Sequence, residues 1–201
     1  MGYRVESIKV DINNKSKDYS KGLFQAGVGY NLDESQIFAN VESTYRNPLV
    51  DEYYNSWTNS YNEELKPQEA VNYELGIKND NYTASIYEID TDNEIFYNPS
   101  TYTNTNIDST KRVGIEGSVK MDLKGFKINQ SIRLSKATVE SGEYKGKEIP
   151  WTSKVGYNLS VEKELGEVLF QWNSRYIGER YSISDWDNKL GKVGAAYYRD
   201  W

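Results

Sequence analysis

Apolar and polar residues alternate along much of this chain, most clearly in the segment VNYELGIK. The apolar positions of that segment are Val71, Tyr73, Leu75 and Ile77. A period of two is typical of a β-strand, because successive side chains point to opposite faces of a sheet. We therefore predict strands that have one apolar and one polar face.

The same pattern predicts about ten strands, each about 10 to 13 residues long. They lie near 3–12, 21–32, 36–46, 68–78, 82–96, 110–122, 126–137, 153–163, 167–180 and 191–200. No segment holds a helical period, so the predicted fold is all-β, an antiparallel up-and-down meander. In the strand 82–96, Ile86 and Ile89 fall on opposite faces, and a β-bulge would reconcile them.

The predicted connections alternate between short and long. Tight turns rich in Gly, Asn and Asp are expected at 33–35, 79–81, 123–125 and 164–166, and long polar links at 47–67, 97–109, 138–152 and 181–190. In a meander, every second connection emerges at the same end of the sheet. All long links then share one end, as in outer-membrane barrels with short periplasmic turns and long extracellular loops.

Strand length agrees with a membrane-spanning barrel. A tilted strand needs roughly 9 to 11 residues to cross the hydrocarbon layer. Aromatic residues stand near the predicted strand ends, where interfacial girdles lie. They include Tyr45, Tyr73, Tyr82, Tyr97, Trp151, Tyr157, Tyr176 and Trp201. We therefore predict that the chain is part of a transmembrane β-barrel and that its apolar face contacts lipid.

Composition narrows the possible functions. The formal charge of −6 disfavours a nucleic-acid partner, since phosphate binding needs a basic surface. The chain has no Cys and no His, which removes thiolate metal sites and the commonest catalytic base. The acidic run Asp185–Asn188 lacks the spacing of an EF-hand. We expect no enzyme activity, no catalytic residues, no cofactor and no metal site.

Two other classes fit part of the pattern. A soluble β protein could use the 18 Tyr side chains to bind glycans. A self-contained small barrel could act as an outer-membrane pore or adhesin.

Four segments, in this order, resemble the barrel of TonB-dependent outer-membrane receptors. A strand ending in R-x-P with an acidic residue after it is matched by Arg46, Pro48 and Glu52. The family's L-K-P-E leading into Y-E-x-G is matched by Leu65, Lys66, Pro67, Tyr73, Glu74 and Gly76, with Gln68 in place of the Glu. An Asn followed by R-x-G-x-E is matched in 104–119 by Arg112, Gly114 and Glu116. The family's R-Y-x-x-D-x-N is matched by Arg180, Tyr181, Asp185 and Asn188, with one extra residue in each of the two gaps.

The resemblance implies a barrel of roughly 22 strands, plugged by an N-terminal domain, that takes up a scarce nutrient with energy from TonB. The expected substrate is an iron–siderophore chelate or a cobalamin-like compound, and the expected location is the Gram-negative outer membrane, in contact with its lipid. Residues 1–201 contain neither a plug domain nor a TonB box, so we expect a partial barrel domain. The TonB complex would act only through a region N-terminal to it.

The resemblance also assigns roles to side chains. Lumen-facing positions are expected at Asn72, Glu74, Lys78, Arg112, Glu116, Lys120, Arg133, Asn158 and Asn173. The residues expected to bind substrate from extracellular loops are Tyr53, Tyr54, Trp57, Tyr61, Tyr102, Arg180, Tyr181 and Trp186.

Overall fold

The computed structural model describes residues 1–12, 15–55, 58–98 and 101–200. Ten strands form one antiparallel sheet in the order β1-β2-β3-β6-β7-β8-β9-β10-β11-β14. Their bounds are β1 Gly2–Ile12, β2 Lys15–Leu32, β3 Ser35–Arg46, β6 Gln68–Lys78, β7 Tyr82–Asn98, β8 Thr103–Leu123, β9 Phe126–Val139, β10 Val155–Leu165, β11 Val168–Ile177 and β14 Ala196–Asp200. Each strand pairs with its neighbours along the chain, which confirms the predicted meander.

Short elements decorate two of the long connections. Between β3 and β6 lie a four-residue helix, α1 (Val50–Tyr53), and a ladder of β4 (Tyr54–Asn55) with β5 (Ser60–Tyr61). Between β11 and β14, β12 (Arg180–Tyr181) pairs with β13 (Lys192–Val193). Among the described residues, no helix is both long and apolar enough to cross a membrane.

The pairing register gives the ten-stranded sheet two chemically distinct faces. On one face, Leu75, Ile86, Ile115 and Leu134 stand side by side across four strands. These side chains are exposed, as are Val28 and Tyr30. We call this the apolar face and the opposite one the polar face. Exposed apolar rows of this extent suit contact with hydrocarbon, since soluble proteins rarely leave such patches uncovered.

The two ends of the sheet also differ. The connections 33–34, 79–81, 124–125 and 166–167 lie together at the turn end. The opposite, loop end carries 47–67, 140–154 and 178–195. This arrangement confirms that the long connections share one end, although the connection between β7 and β8 at that end is short.

Two predictions about β7 and β8 are wrong. The expected polar link 97–109 is largely strand, because β7 continues to Asn98 and β8 begins at Thr103. The expected bulge is absent, since pairing runs without a slip from Tyr82↔Val119 to Asp92↔Ser109. Ile89 simply lies on the polar face, opposite Arg112.

Buried apolar side chains gather at the loop end rather than in a central core. One cluster joins Trp186 and Ile149 to strand residues Ile107, Ala137 and Val139. A second consists of Tyr53 and Leu65, against which Val10 and Ile95 pack. The loops are therefore packed onto the sheet.

Close aromatic packing explains two motif glycines on the polar face. A Cβ at Gly114 would lie 2.5 Å from the Tyr87 ring and 2.8 Å from the Leu134 carbonyl oxygen. A Cβ at Gly76 would lie 2.6 Å from the Phe38 ring. Only a residue without a side chain lets each ring lie flat across the neighbouring strand.

Candidate substrate-binding surface

The loop end brings together most of the residues that the sequence suggested for substrate binding. Tyr53, Tyr54 and Tyr61 lie in the connection 47–67, and Tyr102 lies at the tip of the β7–β8 hairpin. The connection 178–195 carries Arg180, Tyr181 and Trp186. Trp57 lies outside the described residues.

An exposed tyrosine surface forms on the first of these loops. Pairing of β4 with β5 sets Tyr54 opposite Tyr61, with ring centroids 5.0 Å apart. The Tyr54 hydroxyl donates a hydrogen bond of 2.8 Å to Asn59 Oδ1. Tyr102 is 60% exposed, and its carbonyl oxygen accepts a hydrogen bond from the Asn55 side-chain amide.

A small cavity lies between this loop and the hairpin. Its volume is about 200 Å³, and its walls include Tyr54, Tyr97, Tyr102 and Asn104. Rings and amides in this arrangement can stack on and hydrogen-bond to a small polar molecule.

The Tyr53 ring supports this surface from within the loop. It is only 2% exposed and packs with Leu65. Burial, together with a hydrogen bond of 3.5 Å to the Tyr19 hydroxyl, raises the pKa of the Tyr53 phenol above its usual range. Its side chain faces the loop interior, not the solvent.

The motif residues Arg46 and Glu52 fasten the start of the same loop. Arg46 Nη1 donates to both carboxylate oxygens of Glu52, at 3.0 and 2.8 Å. Glu52 Oε2 also accepts a hydrogen bond from the Leu49 amide at 2.7 Å. A charge-assisted contact of this kind, on a partly buried carboxylate, fixes the course of the chain as it leaves β3.

Asparagines of the hairpin hold the end of the loop. Asn106 Oδ1 accepts the Lys66 amide at 2.8 Å, and its Nδ2 donates to the Lys66 carbonyl at 2.9 Å. Asn104 Nδ2 donates to the Glu52 carbonyl at 3.2 Å. The family motifs in 46–67 and 104–112 thus meet in one hydrogen-bonded network.

The second loop is built around Asp185 and Trp186. The buried Asp185 carboxylate accepts the amides of Lys189 at 2.8 Å and Leu190 at 3.0 Å. The Trp186 ring, 8% exposed, packs on Phe96 with a centroid distance of 4.3 Å. Both side chains therefore hold the loop in shape.

Asn188 ties this loop to the neighbouring connection. Its Oδ1 accepts the Glu148 amide at 2.7 Å, and its Nδ2 donates to the Glu148 carbonyl at 3.0 Å. Asn188 has a φ of 57°, a left-handed conformation that asparagine tolerates better than most residues. The D-x-x-N spacing is thus explained by backbone hydrogen bonds.

Arg180 and Tyr181 each take part in a cation–π contact. The Arg180 guanidinium lies 4.2 Å from the centroid of Trp151. Lys192 Nζ lies 5.4 Å from the Tyr181 ring and 2.9 Å from the Glu179 carboxylate. Trp151 was expected from the sequence to be an interfacial residue, and its contact with Arg180 was not foreseen.

All nine residues expected to face a lumen share the polar face. The pairings Asn72↔Ile89↔Arg112 and Glu74↔Tyr87↔Gly114 place the first members, and strand alternation places the others. Arg112 is paired with Glu94, at 2.9 Å between Nη1 and Oε2. Asn158 donates to Ser131 Oγ at 3.1 Å.

A cavity of about 380 Å³ lies on the polar face near the loop end. Arg112, Arg133, Arg175 and Arg180 all line it, together with Trp151. Arg175 was missed in the sequence analysis. Its position, two residues after Asn173 on the same strand, is the signal that could have found it.

The surface offers groups that can bind a ligand. Among the residues that the structure describes, no three His, Cys, Asp or Glu side chains converge as metal ligands would. Exposed tyrosines and arginines can instead hold a ligand by stacking, hydrogen bonds and charge.

Comparison with known proteins gives a family and a fold. A family model described as TonB dependent receptor-like, beta-barrel, matches residues 1–200. No curated protein matches the chain. Structural likeness to the ferric yersiniabactin uptake receptor FyuA of Yersinia pestis has a TM-score of 0.69 at 19% identity, over 92% of this chain and 30% of FyuA.

Two other solved structures are similar to the same extent. FpvA of P. aeruginosa, solved as a complex with a pyoverdine and iron, gives a TM-score of 0.68 at 19% identity over 97% of this chain and 28% of FpvA. BauA, the ferric preacinetobactin receptor of Acinetobacter baumannii, gives 0.68 at 14% identity over 98% and 31%. The chain therefore spans about a third or less of these receptors, and at such identities the likeness shows the fold alone. Since the family model covers nearly every residue, this chain belongs to the TonB-dependent receptor β-barrel family.

Proposed function

We propose that this chain forms part of the barrel of an outer-membrane receptor that takes up a scarce nutrient, such as an iron–siderophore chelate or a cobalamin-like compound. The observation that carries the proposal is the geometry of the single sheet: an apolar face, a polar face, and all long loops at one end. The apolar face contacts the lipid of the Gram-negative outer membrane, and the polar face lines the lumen.

In this function the loops capture substrate outside the cell. Tyr61 and Tyr102 supply exposed rings and Tyr54 a half-buried one, and Arg180 and Tyr181 supply a second contact area. Tyr53 and Trp186 act beneath this surface by holding the loops in place. Aromatic rings suit the task, since they offer large contact area with few rotatable bonds to immobilise.

The structure does not favour the other two classes. A soluble glycan-binding sandwich needs a second sheet packed on the apolar face, whereas the described residues form one ten-stranded sheet and two two-stranded ladders. A closed ten-stranded pore needs β1 to pair with β14, and in the described part of the chain these strands are the two open edges.

The proposal is tested by growth under nutrient limitation. Cells lacking the gene are compared with complemented cells on a panel of iron chelates and on cobalamin as sole sources. We expect complementation to restore growth on at least one compound. The double change Tyr54→Ala and Tyr102→Ala should raise the concentration needed for half-maximal growth.

The control variant is Tyr3→Ala, which removes an exposed ring from the turn-end half of β1. It should leave growth unchanged, with immunoblots of outer membranes confirming equal protein levels. If the complemented cells gain no growth advantage on any compound, the uptake function is wrong.

A further inference from the structure

The cavity on the polar face near the loop end is unusually rich in guanidinium groups. We propose that Arg133, Arg175 and Arg180 form a site for a multiply charged anionic group, of the polycarboxylate kind, on the substrate. This inference deepens the proposed function and rests on it in assuming that the ligand arrives as a nutrient. We call these three residues the arginine triad.

The cavity carries an excess of positive charge. The cavity is lined by four arginines and by no Asp or Glu. Glu94 neutralises only one of them, Arg112. The chain as a whole has 30 acidic and 24 basic residues, so this local excess of positive charge runs against its overall composition.

The absence of partners is a further argument. Several Lys and Arg residues elsewhere in the described chain, such as Arg46, Lys111 and Lys154, have a carboxylate within 4.0 Å. Within the described residues, no such ion pair involves a member of the arginine triad, although Glu116 lies opposite Arg133 in the strand register. Like charges gathered without a direct ion pair repel one another, and a bound anion would relieve the repulsion.

Arg180 has a buried guanidinium nitrogen that can still donate a hydrogen bond. Its Nη1 is buried, and among the described residues it has no hydrogen-bond partner. Leaving a charged donor buried and unpaired is costly, so proteins usually satisfy such groups with a ligand, a water or a counterion. The Trp151 ring, 4.2 Å from the guanidinium centre, holds the group in place.

The strand between the other two arginines leaves space beside the Arg133 guanidinium. Arg133 lies on β9 and Arg175 on β11, so β10 separates them. Opposite Arg133 on β10 is Gly156, which has no side chain, and a Cβ there would lie 3.8 Å from the Arg133 Nε. The cavity, of about 380 Å³, is within the size range of small-molecule sites.

Arginine is suited to carboxylates because its planar fork can form two parallel hydrogen bonds to them. Three guanidinium groups around one cavity would favour a ligand with several carboxylates over a neutral or cationic one. The same groups could alternatively pair with acidic side chains of a polypeptide segment inside the barrel, and the experiment below separates the two occupants.

The test measures binding of citrate, a soluble tricarboxylate, to the receptor purified from outer membranes in detergent. Isothermal titration is carried out on the unaltered receptor and on Arg175→Gln and Arg180→Gln. The matched control is Arg4→Gln, which removes a guanidinium from the same face on β1, where it pairs with Glu6 at 2.6 Å. Retained SDS resistance before heating confirms that each variant is folded.

We expect citrate to bind the unaltered receptor and the Arg4→Gln variant equally. Each triad variant should bind about tenfold more weakly or worse, the loss expected for one charge-assisted bidentate contact. Arg175→Lys should restore part of the affinity, and raising the salt concentration should weaken binding. The proposal is overturned if citrate does not bind, or if triad variants bind it as well as the control.

A triad that pairs with a protein segment gives a different result. Triad variants would then leave citrate binding unchanged and lower the temperature at which the receptor loses its SDS resistance. Growth assays keep this question apart from the uptake function. If only a neutral chelate supports growth and triad variants do not change that growth, the anion site is refuted and the uptake function stands. If citrate binding depends on the triad but no compound supports growth, the uptake function is refuted and the anion site stands.

Discussion

At the scale of single residues, the family motifs are explained by what each side chain holds in place. Glu52 accepts hydrogen bonds from Arg46 and from a backbone amide. Asn106 hydrogen-bonds to both backbone groups of Lys66, and Asp185 accepts two amides of its own turn. Each contact satisfies backbone groups at a place where the chain turns out of the sheet. The motif residues therefore determine the shape of the loops, while the exposed tyrosines that could contact a ligand lie outside the motifs and can differ.

The buried Tyr53 phenol makes the first loop sensitive to alkaline pH. Its pKa is raised in the folded protein by burial and by the Tyr19 hydroxyl, whereas an unfolded tyrosine titrates at about 10. Below that pH both states keep the proton and the loop is unaffected. Above it the open loop gives up the proton more readily, so the stability of the closed loop falls as pH rises.

We therefore expect protease cleavage within 47–67 to accelerate above about pH 10. Tyr53→Phe should remove this acceleration, because phenylalanine cannot ionise. Tyr61→Phe, on an exposed ring of the same loop, is the control and should cleave like the unaltered protein. Equal acceleration in the Tyr53→Phe variant would show that another group governs the opening.

Gly114 should not tolerate a methyl group. A Cβ there would meet the Tyr87 ring at 2.5 Å and the Leu134 carbonyl at 2.8 Å, and the carbonyl belongs to a paired strand that cannot move freely. We expect Gly114→Ala to destabilise the barrel by about 1 to 3 kcal/mol. The measurement is the temperature at which the receptor in isolated outer membranes loses its SDS resistance.

Gly156→Ala is the matched control for this change. Gly156 is also on the polar face, but its nearest contacts would be at 3.8 Å, ordinary van der Waals distance. It should therefore shift the transition little. A Gly114→Ala variant as stable as Gly156→Ala would mean that the Tyr87 ring moves aside without cost.

At the scale of elements, the sequence predicted the strands where one face is apolar and the other polar. There the alternation is chemical as well as geometric, and the predicted 68–78 and 126–137 agree closely with β6 and β9. The sequence failed where strands extend past the apolar rows. The last residues of β7 and the first of β8 are mostly Asn, Thr and Tyr on both faces, so they carry no apolar period although they pair as strands.

The candidate site was harder to predict than the strands because it is assembled from distant segments. Trp186 is buried by Phe96, ninety residues earlier in the chain, and local sequence carries no sign of that contact. Arg180 and Arg133 were singled out for separate roles, on a loop and in a lumen. Only the three-dimensional structure, in which β12 follows β11 at the loop end, shows that they line the same cavity.

The depth of the lipid contact can be tested on β8. Ile115 is exposed on the apolar face, between Ile86 and Leu134. Toward the loop end the apolar rows give way to charge at Lys111, which pairs with Glu88 at 2.7 Å and Asp90 at 3.2 Å. Ile115 therefore lies within the proposed hydrocarbon band, one row on the turn-end side of the Glu88–Val113 pair.

Ile115→Arg should destabilise the barrel by roughly 1 to 3 kcal/mol, because Ile115 lies between the middle of the bilayer, where a cation costs most, and the interface, where it costs least. Ser118→Arg, three residues along the same strand but on the polar face, should cost far less because that side is wet. The readout is the amount of folded, SDS-resistant protein in the outer membrane. If Ser118→Arg is the more damaging change, the two faces have been assigned the wrong way round.

At the scale of the whole molecule, the sheet is stabilised mainly by hydrogen bonds between neighbouring strands, since few apolar side chains are buried. Both clusters of buried apolar residues lie at the loop end, Leu23 and Phe38 are buried singly within the sheet, and the rows of the apolar face are exposed. Stability then depends on every strand having a hydrogen-bonded neighbour on both sides, since an unpaired backbone group in hydrocarbon costs several kcal/mol. In the described structure, β1 and β14 each have a neighbour on one side only.

These two edges predict how residues 1–201 behave when produced without any further strands. The free edge of β1 is eleven residues long, and in a micelle or bilayer its backbone groups would seek partners on other chains. We expect refolding in detergent to give a broad range of oligomers by light scattering, with no monomer that resists SDS. The control is an intact receptor of the same family refolded in the same detergent, which should be monomeric and SDS-resistant because its edges are closed.

The opposite result would carry an equally definite meaning. A monodisperse chain that resists boiling in detergent would require β1 to pair with β14 around a ten-stranded ring, against the open order of the sheet. Cross-linking distinguishes the two states directly. Cysteines introduced at Val5 and Tyr197, which lie on the apolar face of the two edge strands, should form disulfides only between chains if the edges are open, and within one chain if the ring closes.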